Sequence, residues 1–289
     1  MNIREIKRTS KSYPVTEGAG VQLKRVFAQK ETTMLDPFLL LDDFHSDDPN
    51  EYIAGFPWHP HRGIETVTYM LEGKVEHQDS IGNQGILKGG DIQWMTAGSG
   101  IIHSEMPAQI DGLLWGFQLW VNLPAVNKMM APRYQDITAD KVPEFTLENG
   151  VKIRLLAGKM NGYDGPVQDI VTHPEYLDVT LPQNTHFTHK IPVDYTAFAY
   201  CFEGEGYFEP SQEQLVSTET VVIYKNGDSV QITTEANHVR FLLVSGKPIK
   251  EPIAWMGPIV MNTQVELQTA FAEYRNGTFL KTDSTQRRP

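Results

Sequence analysis

From about residue 20 the chain alternates short apolar runs, rich in β-branched and aromatic residues, with Gly, Asn, Asp and Pro. Thr66-Val67-Thr68-Tyr69-Met70-Leu71 stops at Glu72-Gly73, Leu113 to Val121 stops at Asn122-Leu123-Pro124, and Val151 to Leu156 stops at Ala157-Gly158. Strands at this spacing, with no helical periodicity between them, predict a β-sandwich or barrel. One helix is predicted near the end. Thr263-Gln264-Val265-Glu266 has the form of a capping box, Leu267, Phe271 and Tyr274 make an i, i+4, i+7 stripe, and Gly277 is placed to stop it. Residues 281–289 read as a frayed tail.

The two halves echo each other. Leu71-Glu72-Gly73 resembles Phe202-Glu203-Gly204, and Gly90-Asp91-Ile92-Gln93 resembles Gly227-Asp228-Ser229-Val230-Gln231. Two matches in the same order predict a duplicated β-domain, with residues 1–135 and 136–289 as the copies and the stretch 124–145, holding Pro124, Pro132 and Pro143, as connector.

Charge narrows the function classes. The 289 residues carry 25 Lys+Arg against 36 Asp+Glu, so the net charge is 25 − 36 = −11. That excess repels phosphates, which argues against direct nucleic-acid binding and against an anionic membrane surface. Residues 1–30 hold seven basic and two acidic side chains, while residues 31–60 hold seven acids and no Lys or Arg. The acids Asp42, Asp43, Asp47, Asp48 and Glu51 read as a solvated loop that leads into a histidine pair. The single cysteine, Cys201, lies in an aromatic run and reads as a buried, inert thiol of a reducing compartment. Met1 to Val15 contains no apolar leader core and no stretch approaches the ~20 apolar residues of a membrane span. A soluble cytoplasmic monomer is expected, nuclear as well if the source is a eukaryote.

The chemistry is carried by spacing. His59-Pro60-His61 places two imidazoles at i and i+2, one face of an extended strand. Forty-two residues beyond His61, His103-Ser104-Glu105 repeats the spacing with an imidazole and a carboxylate. On adjacent antiparallel strands these four side chains would converge. Three neutral nitrogens and one carboxylate suit a divalent first-row ion and leave two positions open in an octahedron. Gly89-Gly90-Asp91 and Thr96-Ala97-Gly98-Ser99-Gly100 supply the turns that would return His103 to the site, and the glycines lack the spacing of a phosphate loop. His45, His77, His173 and His186 read as structural. Counting along the repeat sets Lys190, Pro192, Arg240 and Leu242 against the four ligands, so the second copy is expected to lack a metal; His189 and His238 fall out of register.

Phe38-Leu39-Leu40-Leu41-Asp42-Asp43-Phe44, His59-Pro60-His61-Arg62-Gly63-Ile64-Glu65-Thr66-Val67, Gly90 through Pro107, Leu119-Trp120-Val121-Asn122-Leu123 and Gly257-Pro258-Ile259-Val260-Met261-Asn262-Thr263 together resemble the pirin family of the cupin superfamily. The resemblance covers nearly the whole chain. It implies an all-β bicupin: two double-stranded β-helix (jelly-roll) barrels, a short C-terminal helix, and one metal in the N-terminal barrel. The family's ligands fall on His59, His61, His103 and Glu105, and its usual metal is iron, Fe(II); Zn, Ni, Mn and Cu stay open as alternatives.

Two functions follow from that resemblance. One is an iron-dependent quercetin 2,3-dioxygenase, an enzyme opening a flavonol with O2 and releasing CO. Glu105 would be ligand or proton acceptor there, and Phe44, Phe56 and Trp58 the apolar mouth for substrate. The other is a redox-sensitive, non-catalytic metal protein that acts as a cofactor to a transcription-regulating protein partner.

Overall fold

The computed structural model describes residues 2–281. Beyond Lys281 the segment read as a tail lies outside the described residues. The strands are β1 (Ile6–Lys11), β2 (Tyr13–Glu17), β3 (Val21–Phe27), β4 (Phe38–Ser46), β5 (Phe56–His61), β6 (Ile64–Glu72), β7 (Lys74–Asp79), β8 (Gln84–Lys88), β9 (Ile92–Thr96), β10 (Ile101–Pro107), β11 (Leu114–Asn122) and β12 (Arg133–Ile137). They continue as β13 (Glu144–Thr146), β14 (Lys152–Ala157), β15 (Lys159–Met160), β16 (Tyr163–Asp164), β17 (Glu175–Leu181), β18 (His186–Lys190), β19 (Thr196–Tyr207), β20 (Leu215–Ser217), β21 (Thr220–Tyr224), β22 (Ser229–Thr233), β23 (Val239–Gly246), β24 (Ala254–Met256) and β25 (Ile259–Met261). Two single helical turns, α1 (Thr32–Leu35) and α2 (Pro49–Tyr52), precede the one long helix, α3 (Gln264–Arg275).

The chain forms two compact units. The first barrel takes residues 14–25, 38–139 and the chain from Ile249 onward; the second takes the chain up to Tyr13, residues 26–37 and residues 140–248. One crossing, between Ala139 and Asp140, lies near the expected boundary at 135/136, and further crossings fall near both ends of the chain. The expected connector is partly strand, because β12 pairs with β9 from Arg133 opposite Thr96 to Ile137 opposite Ile92.

The two units repeat one topology. In the first barrel one sheet runs β12-β9-β6-β11-β4-β3-β2 and the other β5-β10-β7-β8. In the second, the large array runs β1-β21-β19-β23-β17-β14-β13, while β22 joins β18 to the far end of β19, which also carries β20. Position for position, β6 matches β19, β11 matches β23, β5 matches β18 and β10 matches β22. Gly73 and Gly204 both take positive φ, +84° and +72°, at corresponding bends, which is why the Glu-Gly echo is visible in the sequence. The second echo is out of register: Gly90 leads into β9, whereas Gly227 leads into β22. Arg240, on β23, is therefore not the counterpart of His103. It pairs instead with Asp178 through Nε at 3.0 Å and Nη2 at 2.7 Å.

Alternation places the strand faces. Lys74–Asp79 alternates exposed and buried residues through its whole length, the signature of a sheet with one wet face. The second barrel is filled by Phe187, Val230, Ile232, Phe241, Val179, Cys201 and their neighbours. Burial drives the Cys201 thiol up to about 12, consistent with an inert thiol. The predicted helix forms as α3, with the Thr263 hydroxyl accepting from the Glu266 amide and the Glu266 carboxylate accepting from the Thr263 amide. Its inward face is Leu267 and Ala270, and Tyr274 stays 39% exposed with its ring edge against Phe279.

Candidate metal centre

β5 and β10 are antiparallel neighbours, with His59 opposite His103 and His61 opposite Ile101. The register slips between His103 and Glu105, so Glu105 faces Phe56. The slip leaves Pro57 and Trp58 sharing one partner position, a bulge that re-aims side chains. Trp58 turns to solvent, 53% exposed. The donor atoms of His59, His61 and His103 all lie within 4.8 Å of one another, and His61 and His103 are buried.

Each imidazole is oriented through its Nδ1. His59 Nδ1 lies 2.8 Å from the Pro57 carbonyl oxygen and His61 Nδ1 lies 3.2 Å from that of Pro258. A carbonyl only accepts, so these nitrogens carry the protons and each Nε2 presents a lone pair. His103 Nδ1 is 3.1 Å from the Tyr134 hydroxyl. Burial, reinforced by Glu105, Asp79 and Asp136, raises the Tyr134 phenol and keeps it protonated. His59 Nε2 and His61 Nε2 stand 3.1 Å apart, and His103 Nε2 is buried with no hydrogen-bond partner. Two facing lone pairs, with the unpartnered His103 Nε2 beside them, need a proton or a cation between them. Burial first, then the neighbouring imidazoles, pushes His61 and His103 well below the ordinary histidine value, which disfavours the proton. The donor set therefore fits a metal ion.

Glu105 lies just outside this group, with Oε2 3.9 Å from His103 Nε2. Gln118 Nε2 donates to Oε2 at 3.1 Å and to Oε1 at 3.3 Å, and the Thr68 hydroxyl donates to Oε1 at 3.2 Å. The turn after His61 is fixed by close approach. A Cβ on Gly63, at φ +79°, would meet the Val260 oxygen at 1.9 Å. Lys128, buried, donates to the Gly63 oxygen at 2.9 Å, to the Val260 oxygen at 3.0 Å and to Asn122 Oδ1 at 2.7 Å. Arg62 donates to the oxygens of Ser99 and Phe279 and to Glu273 Oε2, each at 2.7 Å. Spacing alone carries no sign of Lys128 or Pro258, because both act from segments distant in sequence.

A cleft partly open to solvent adjoins the carboxylate. Glu105, Thr68, Gln118 and Asp42 supply its polar wall, and Phe44, Phe56, Leu23, Val75 and Leu114 contribute to the apolar one. Phe44 and Phe56 thus line it, while Trp58 and the three imidazoles are not among its lining residues. The acidic stretch is only partly a solvated loop: Asp47, Asp48 and Glu51 are exposed, whereas Asp42 and Asp43 are buried in β4, and the Asp48 side chain caps α2 by accepting from the Asn50 amide. Arg25 draws Asp42 inward with Nε and Nη2 both at 2.9 Å, and Trp115 Nε1 reaches Asp43 at 3.2 Å. His77, read as structural, is buried with its Nε2 2.9 Å from Asp136 Oδ2 and its ring stacked on Tyr134. Among the described residues no helix is long and apolar enough to cross a membrane.

Comparison with known proteins agrees with the geometry. Residues 20–121 match the Pirin family model, and residues 176–280 match the model of the Pirin C-terminal cupin domain. A pirin-like protein of Caulobacter vibrioides is 42% identical over 280 residues, 96% of this chain and 100% of that one. Mouse pirin is 39% identical over 264 residues, 90% of this chain and 89% of its own. The 1.88 Å crystal structure of a quercetin 2,3-dioxygenase from Acinetobacter baumannii superposes with a TM-score of 0.89 at 32% identity, covering 96% of this chain and 98% of that one. With both family models matched in order along a duplicated barrel, the chain belongs to the pirin family.

Proposed function

We propose that the first barrel binds one ferrous ion through His59, His61, His103 and Glu105 and uses it to open a flavonol ring with O2. One observation carries this reading: three imidazole Nε2 atoms converge beside a carboxylate that is also part of the wall of a largely apolar cavity. The likeness to a protein described as a quercetin 2,3-dioxygenase, at 32% identity, supports the reaction class.

Bound there, Fe(II) would supply Lewis acidity toward an enolate oxygen and the one-electron chemistry that lets O2 react with a closed-shell substrate. The protein's own part is binding, orientation and proton handling. Glu105 takes the proton of the flavonol 3-hydroxyl, the group that must ionise before the ring carbon becomes electron-rich. Gln118 and Thr68 hold the carboxylate in one orientation, so no reorganisation is needed at that moment. Phe44, Phe56, Leu23 and Val75 exclude water and stack against a flat ring. The reaction balances as one flavonol plus one O2 giving one phenolic ester and one CO. The second barrel is assigned no metal.

Anaerobic loading with Fe(II), then quercetin, then air, tests the reading. Loss of flavonol absorbance in the wild type that is abolished in His59→Ala supports it. Unchanged flavonol with fully metallated protein refutes turnover and leaves the partner-binding role.

A further inference from the structure

The cavity has a second carboxylate whose position neither metal binding nor proton transfer uses. Asp42 is only 6% exposed and lies on β4, with Gln118 opposite it on β11 and Thr68 opposite Gln118 on β6. Those three side chains lie on one face of three neighbouring strands, and all three line the cavity together with Glu105. Neighbouring strands are spaced by about 5 Å, so Gln118 separates the two carboxylates. Each Asp42 oxygen takes one bond from Arg25, through Nε to Oδ1 and Nη2 to Oδ2. A carboxylate oxygen accepts two, which leaves one lone pair on each oxygen at the polar wall of the cavity. Arg25 is bonded as well to Glu17 at 2.9 Å, so the ion pair is braced from outside. A fixed charge-assisted acceptor of this kind discriminates strongly for a hydroxyl donor and against a C–H in the same place.

Resting on the dioxygenase reading above, we propose that Asp42 is a specificity-determining residue: it accepts a hydrogen bond from a substrate hydroxyl other than the one deprotonated by Glu105, so that the site selects flat polyphenols over otherwise identical flavonols lacking that hydroxyl. Asp42 is a binding residue in this account and takes no part in the chemical step.

Two ligands separate the possibilities: quercetin, and 3-hydroxyflavone, which keeps the reacting hydroxyl and lacks the ring hydroxyls. Affinities are read under argon at pH 7.5 from tryptophan quenching of the Fe(II)-loaded full chain, so turnover is not needed. The wild type should prefer quercetin by about 10- to 100-fold, the range of a hydrogen bond to a charged group. Asp42→Asn, which keeps the volume but replaces an acceptor by a donor, should lose that preference while binding 3-hydroxyflavone unchanged. Asp42→Ala should do the same, with Arg25 still held by Glu17. A wild type with no preference overturns the assignment whatever the variants do, and so do variants that keep the preference or weaken both ligands equally; these results leave the dioxygenase reading standing. A wild type that binds neither flavonol overturns both.

Discussion

The two barrels share a topology and differ in what fills the corresponding small sheet. In the first, β5 and β10 bring His59, His61 and His103 together. In the second, the matching strands β18 and β22 direct Phe187, Val230 and Ile232 into a continuous apolar core. The contrast extends to the large sheet. Asp42, Gln118 and Thr68 line the first barrel's cavity, whereas Val179, Phe241 and Cys201, cross-strand neighbours on the matching strands, are core in the second. One copy gives up packing to make a site, and the other keeps the packing. Among the described residues only the first holds a cluster of metal-ligand type.

The comparison breaks most visibly through the core. Phe187→Ala should cost about 3–5 kcal/mol by urea titration, because the ring is buried and stacked in close-packed surroundings. His61→Ala in the metal-free chain should cost about 1 kcal/mol or less, since crowding of buried imidazole lone pairs offsets the packing lost. Equal costs at the two positions would show that the first barrel's interior is ordinary core.

Next in size is the ion pair of the second barrel. Arg240→Ala should destabilise by about 3 kcal/mol, because it leaves Asp178, 2% exposed, without its two-bond partner. Metal content should stay at the wild-type level. Loss of metal would contradict the assignment of the metal centre to the first barrel alone.

Lys128→Met should cost about 2 kcal/mol in thermal or urea unfolding, since the oxygens of Gly63, Val260 and Asn122 each lose a buried charged donor. Burial lowers the Lys128 amine to about 7, yet three acceptors match the three N–H bonds of an ammonium and hold the charged form.

The last effect is a pH slope. Burial lifts Asp42 to about 6 against the opposing bonds from Arg25. The folded chain then binds a proton that the unfolded chain has already lost, so this contribution to stability falls as pH rises from about 4 to about 6, by about 1 kcal/mol per pH unit at its steepest. Stability curves of wild type and Asp42→Asn between pH 4 and pH 7 should differ by that slope, and parallel curves would contradict it.

Much of the site was legible because strand periodicity is two: His59-Pro60-His61 and His103-Ser104-Glu105 are short motifs whose same-face spacing needs only that the segments be strands. The helix cap at Thr263 was legible for a similar local reason. What stayed hidden was non-local. Asp42 looked solvated because its partner Arg25 lies on another strand, and Trp58 looked like a pocket residue because a bulge leaves no mark in the spacing. The Gly227 echo misled because two different strands follow a Gly-Asp turn in the two barrels.

The most direct measurement is metal stoichiometry with site variants, by inductively coupled plasma mass spectrometry on protein purified without chelator and then loaded anaerobically with Fe(II). The account predicts one ion per wild-type chain, none in His103→Ala, and one in His189→Ala, whose imidazole in the second barrel bonds Glu175 instead. Full retention of metal in His103→Ala, or its loss in His189→Ala, would contradict the assignment of the centre to the first barrel.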